Sequence, residues 1–215
     1  MKRWALFTVS LYAISMSILV TPILLLLAGR DDPGLLGFFY VWLAPVLILA
    51  QAVLLFAPVA VVQDRPVKRR KIVVSAVVGA IPMAAMTIVF FGSIILMMLG
   101  EKTSGDQLYS PPILLSALAV FWLVWGIIFW KSFHSTDPTS FTATVTRWLL
   151  RGSILEVLVA IPSHIISRHR DECCAPVFSL LGIATGLSVG LMSFGPGIFF
   201  LFAKRIKDKK GRTST

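Results

Sequence analysis

The chain has 215 residues, of which 57% are apolar and 14% charged, with a net charge of +10 and a mean hydropathy of +0.86. Soluble domains run about 45–50% apolar and about 25% charged, so this composition excludes an ordinary soluble globular domain. The positive charge does not imply a nucleic-acid partner, because the basic residues border apolar runs and no soluble segment is long enough to build a basic binding surface. Their expected partners are anionic lipid head groups.

Met1-Lys2-Arg3 opens like a secretory signal. The apolar stretch behind it, Trp4–Ala28, is 25 residues long, well beyond a signal core of about 7–15, and no Ala-x-Ala site follows. It is therefore a retained first span, bent near Pro22. A hydrocarbon core of about 30 Å takes roughly 20 helical residues, and five further blocks meet or approach that length: Leu35–Val62, Ile72–Leu99, Ile113–Trp130, Trp148–Ile166 and Ala175–Ala203. They are apolar on every face, which favours helices over the alternating strands of a barrel. The connections carry turn chemistry: Asp31-Asp32-Pro33-Gly34, Asp64-Arg65-Pro66, Ser104-Gly105-Asp106 and Ser110-Pro111-Pro112. The expected architecture is an all-α polytopic bundle, residues 1–203, with a basic cytoplasmic tail at 204–215.

The fifth block carries Arg151, Glu156, Pro162 and His164, and its alternative is an amphipathic helix lying on the membrane. Charge distribution decides between them. If it spans, sixteen of the twenty basic residues fall on the inner side, in the clusters Lys2–Arg3, Arg65–Lys71, Lys131–Arg151 and Lys204–Arg212, and only Arg30, Lys102, Arg168 and Arg170 lie outside. If it does not, the split is twelve to eight. The positive-inside rule favours six spans with both termini cytoplasmic, and the compact basic-tailed bundle fits a bacterial inner membrane. Asp137 and Pro138 read as the N-cap and first residue of a helix, short and interfacial, ahead of this span. The chain contains no Asn, which excludes N-linked glycosylation.

Gly182, Gly186 and Gly190 recur every four residues in the last block, with Thr185 beside them. Such a stripe lets two helix backbones approach closely. Ser75, Gly79, Ala80 and Ala84 form a weaker version in the third block. Pro22, Pro45, Pro58, Pro82, Pro162 and Pro196 fall inside spans and bend them, and Phe194-Gly195-Pro196-Gly197 is a point where the last helix could break into a hairpin.

Glu156 sits about two turns inside its span, too deep to reach the interface. It must face other helices, pair with a basic group or carry a proton. Arg151 lies near the boundary and serves as an anion contact, while His164 follows Glu156 by eight residues, about 80° around the helix, so the two border one cavity without touching. These three are the candidate catalytic or solute-handling residues.

The densest polar cluster lies between the last two blocks, where His164, His169, Cys173 and Cys174 fall within eleven residues. Pro176 suits a first helical turn, so the cysteines stand at a helix N-terminus where the dipole, Arg168 and Arg170 favour thiolate and Asp171 and Glu172 oppose it. A disulfide between adjacent cysteines is strained, which leaves free or metal-bound thiols, a redox-active ring, or bridges to another chain. Thiolate with imidazole suits a soft ion such as Cu or Zn. Cys173-Cys174-Ala175-Pro176 resembles the vicinal pair of bacterial mercuric-ion transport proteins. The likeness covers those four residues, since those proteins are shorter and carry the pair in their first span, and it assigns no family.

His-Glu-x-x-His, Gly-x-Ser-x-Gly, Walker A and Gly-x-Gly-x-x-Gly motifs are absent. His134 and the aromatic residues Tyr40, Trp42, Trp122, Trp125 and Trp130 read as ordinary loop, belt or packing residues. Three classes stay open: a transporter or binding protein for a small solute or soft metal ion; a non-enzymatic subunit or scaffold that meets a membrane-protein partner or its own copies through the glycine face; and a membrane enzyme using Glu156 and His164.

Overall fold

The computed structural model describes residues 2–28, 37, 39–55, 69–99, 111–134, 138–169 and 177–212. Every element among them is helical. These are α1 (Lys2–Ala28), a π-helical turn at Phe39–Leu43 running into α2 (Ala44–Leu54), α3 (Arg69–Leu99), α4 (Pro111–His134), α5 (Pro138–His169) and α6 (Val177–Arg212). Each of the six expected blocks thus contains a helix. Five are long and apolar enough to cross a membrane, and the second is shorter, running from Phe39 to Leu54. At 1.5 Å per residue that shorter segment is about 24 Å long. The rest of Leu35–Val62, Pro58 included, lies outside the described residues.

Several local differences from expectation have simple causes. Pro45 lies inside the helical segment Phe39–Leu54, where the π-helical turn gives way to α2; lacking an N–H, it cannot continue a regular hydrogen-bond ladder, and the wider π turn precedes it. Pro111 opens α4, where a missing N–H costs nothing. Helix α4 runs on through Lys131 to His134, so these residues are not loop. No separate interfacial helix precedes the fifth span: α5 is continuous from Pro138 and carries Arg168 and His169 in its last turn, where cations complement the helix dipole. Helix α6 passes through Pro196 unbroken and extends to Arg212, so there is no hairpin at Gly195–Gly197 and the basic segment continues the helix.

Helix α6 is central and α4 peripheral: 61% of the apolar window of α6 is buried inside the bundle, against 6% for α4. Helix α6 packs against α5, α1, α3 and α2. Helix α1 joins through one strip, Thr8, Tyr12, Met16, Val20 and Leu24, all buried and four residues apart, while Leu6, Ile14, Ile18 and Leu26 are exposed. The Tyr12 hydroxyl donates to the Ser188 carbonyl of α6 at 3.2 Å. On α3, the small residues Ser75, Gly79, Ala80 and Ala84 face inward. A Cβ on Gly79 would stand 3.4 Å from Leu54 of α2 and 3.6 Å from Val145 of α5, so the weaker small-residue stripe is also a packing seam.

Helix α5 inverts the soluble pattern. Its exposed positions are apolar, with Ile154, Leu155, Leu158, Ile161 and Ile165 outward, and its buried positions are largely polar, with Ser153, Glu156, Ser163, His164 and Ser167 inward. A soluble amphipathic helix does the reverse. Outward hydrocarbon and inward polar groups are what a lipid solvent selects.

Candidate functional site

The buried face of α5 recurs at spacings of three and four, from Ser153 through Glu156, Ala160 and Ser163 to Ser167. It meets the glycine stripe of α6 in antiparallel order. A Cβ on Gly190 would lie 3.2 Å from Ser153 Oγ. One on Gly186 would lie 2.7 Å from Val157 Cγ2 and 3.2 Å from Glu156 Cγ, and one on Gly182 would lie 2.7 Å from Glu156 Oε1 and 2.9 Å from Ala160 Cβ. One turn earlier on α6, Ser179 Oγ shares a hydrogen bond of 3.1 Å with His164 Nδ1. The glycines therefore make room for the polar side chains of α5, Glu156 above all, and close approach replaces the hydrophobic drive that lipid removes.

Most hydroxyls on this seam are satisfied. Ser153 donates to the Leu150 carbonyl at 2.8 Å, and Ser163 donates to the Ser93 carbonyl of α3 at 2.8 Å. Glu156 differs: it is 1% exposed, and neither carboxyl oxygen has a hydrogen-bond partner among the described residues. His164 Nε2 and the hydroxyls of Ser93 and Ser167 are likewise buried and unpartnered.

Glu156 also forms part of the wall of a cleft between α3, α4 and α5, with a volume of about 200 Å³. Met83, Met86, Phe90, Trp125 and Trp148 supply apolar and aromatic walls, and Arg151 is the other charged residue lining it. The Trp125 indole donates to Thr87 Oγ1 at 2.9 Å and packs on Trp148 with ring centroids 5.8 Å apart. These contacts fix the aromatic wall. The ends of Met83 and Met86 both reach the notch at Gly152, where a Cβ would stand 3.1 Å from Met86 Cε and 3.5 Å from Met83 Sδ.

Of the sequence candidates, the fold brings Glu156 and Arg151 to one cleft. They make no ion pair: the carboxyl oxygens are unpartnered, and Arg151 is exposed. His164 is not part of the cleft wall. Its eight-residue offset from Glu156 is about 12 Å of helix rise, and its ring turns to Ser179. His169 is exposed at the end of α5 and donates from Nδ1 to the Ile165 carbonyl at 2.9 Å. Cys173 and Cys174 lie outside the described residues. Among the described residues no group of three or more His, Cys, Asp or Glu side chains could hold a metal ion.

One polar residue escaped the sequence reading. Gln51 of α2 is fully buried, and both ends of its amide lack a hydrogen-bond partner among the described residues. The amide fills the space where a Gly195 side chain would be, with Nε2 1.5 Å from the position of a Cβ. The available signal was that Gln51 is the sole polar side chain of Ala44–Leu54. Compared with known proteins, the chain matches no family model, no curated protein and no solved structure.

Proposed function

We propose that this multi-pass membrane protein is a carrier or binding protein for a small solute, with Glu156 as the group that exchanges a proton or cation. The observation that supports this is the buried Glu156 carboxyl on the α5/α6 seam, both oxygens unpartnered among the described residues. Intramembrane acids are costly, face bundle interiors or water-filled cavities, and mark ion or substrate paths. A purely structural acid is expected to hold a partner. The scaffold reading loses its main support, because the glycine stripe is engaged by α5 of the same chain and does not present a free face.

The basic clusters support both termini facing the cytoplasm. That orientation makes the segment between α5 and α6 external, and with it the Cys173–Cys174 pair. The test uses sealed vesicles containing the purified chain and a trapped pH indicator, challenged with a panel of amine, carboxylate and polyol solutes. Wild-type vesicles should move protons with at least one solute class, and Glu156→Gln should abolish the movement while inserting normally. Proton movement unchanged in Glu156→Gln, or absent with every solute class, would overturn the reading.

A further inference from the structure

We infer that the cleft between α3, α4 and α5 holds one acyl chain of an anionic phospholipid, whose phosphate lies against Arg151 and Arg147. The inference goes beyond the carrier reading and does not rest on it, because Glu156 turns its carboxyl away from the cleft, toward Gly182 on α6. What remains is an almost wholly apolar wall that includes Met83, Met86, Phe90, Trp125 and Leu155. Such a wall suits hydrocarbon.

The cleft forms because α4 packs chiefly on α3 and only lightly on α5. It opens to the lipid side, where Leu155 is 56% exposed. Its lining on α3 runs from Met83 to Phe91, about 12 Å of helix rise. Met83 and Met86 stand beside Gly152, and farther along the same two helices Ser163 meets Ser93. The cleft therefore leads from the level of Arg151 toward the middle of the span, the course that a lipid tail takes.

In a bilayer an apolar cleft alone selects no lipid, since the tails are as apolar as its wall. Charge at its mouth does the selecting. Arg151 lines the cleft, is exposed and lies seven residues inside the apolar stretch Thr144–His169. Arg147, also exposed, stands one turn nearer the start of α5 and about 40° around it. Glu156 is the one acid within the apolar stretches of the described helices, and its oxygens are unpartnered among the described residues, so neither arginine is paired there. A cation at this depth is costly until its long side chain reaches a head group or an anion, and guanidinium binds phosphate oxygens bidentately. A phospholipid meets both needs together, with its tail in the cleft and its phosphate on the arginine pair.

The experiment titrates the purified full chain in dodecyl maltoside micelles with dioleoylphosphatidylglycerol or dioleoylphosphatidylcholine, which share their tails and differ in net charge, and counts bound lipid by native mass spectrometry. One phosphatidylglycerol should be held at least about fivefold more tightly than phosphatidylcholine, the factor that one basic residue near an anionic surface supplies. Arg151→Gln should erase most of that preference, whereas Arg168→Gln, which removes the same charge at the other end of α5, should leave it intact. Leu155→Trp sets a larger side chain at the exposed rim of the cleft and should lower phosphatidylglycerol retention. Inorganic phosphate at equal concentration should not displace the lipid. Equal retention of the two lipids, equal losses in Arg151→Gln and Arg168→Gln, undiminished retention in Leu155→Trp, or displacement by inorganic phosphate would each overturn the inference, the first by showing only ordinary annular lipid and the last by showing a site for free anions.

Discussion

Gly182→Ala tests the α5/α6 seam most directly, because its added methyl meets atoms that cannot easily move. The new Cβ would stand 2.9 Å from Ala160 Cβ, which is fixed to the α5 backbone, 3.1 Å from Val89 Cγ1 of α3, and 2.7 Å from Glu156 Oε1. Relief needs a shift of whole helices. Overpacking of this kind costs about 1–3 kcal/mol, offset by up to about 1 kcal/mol from the better helix propensity of alanine. The net expectation is a loss of about 1–2 kcal/mol, a factor of roughly 5–30 in the folded-to-unfolded ratio. Gly190→Ala is the internal control: its methyl would meet only Ser153, at 3.2 Å from Oγ and 3.7 Å from Cβ, so relief costs at most the hydrogen bond from Ser153 to the Leu150 carbonyl. That variant should stay within about 1 kcal/mol of the wild type, the lost hydrogen bond being offset by the better helix propensity of alanine. Reversible unfolding in dodecyl maltoside micelles with a rising fraction of dodecyl sulfate, followed by tryptophan fluorescence, measures both. A Gly190→Ala loss as large as that of Gly182→Ala, or no loss in Gly182→Ala, would refute the antiparallel register.

Gln51→Met removes a buried amide without partners and keeps the volume, so the same unfolding assay should show a gain of about 1–3 kcal/mol; a loss would mean that the amide holds a partner which stabilises the fold. Ser163→Ala removes the hydroxyl that donates to the Ser93 carbonyl and should cost about 0.5–1.5 kcal/mol, whereas an unchanged stability would place water at that carbonyl. In intact cells, a thiol reagent that cannot cross lipid should modify Cys173 and Cys174 without lysis; labelling only after lysis would reverse the orientation drawn from the basic clusters. On the soft-metal reading, purified wild-type protein should carry copper or zinc that Cys173→Ser/Cys174→Ser lacks, and equal metal content in both would end that reading.

The helical blocks were legible because lipid leaves the chain few options. Backbone groups must be paired within a segment, so apolar stretches of sufficient length become helices whatever their detailed order. The glycine stripe was legible for a related reason: three glycines at a spacing of four can lie only on one face. What that face would meet was not. Facing Ser153, Glu156 and Ala160 depends on the mutual register of α5 and α6, which no periodicity within one helix encodes. Glu156 stood out as an acid in hydrocarbon, yet its neighbours in the cleft come from α3 and α4. Met83, Met86 and Phe90 therefore read as generic apolar residues until those helices were placed. Of the expected second span Leu35–Val62, the helix described runs from Phe39 to Leu54.

Helix α6, which touches four other helices, follows all four of them in the chain. A ribosome delivers α1, α2, α3 and α5 to the bilayer before the glycine-striped helix that binds them together exists. Until it emerges, Glu156 and His164 have no α6 wall, and Tyr12 has no carbonyl to meet. Closure of the seam therefore waits for the synthesis of α6, and every contact argued above across α5 and α6 is absent until then.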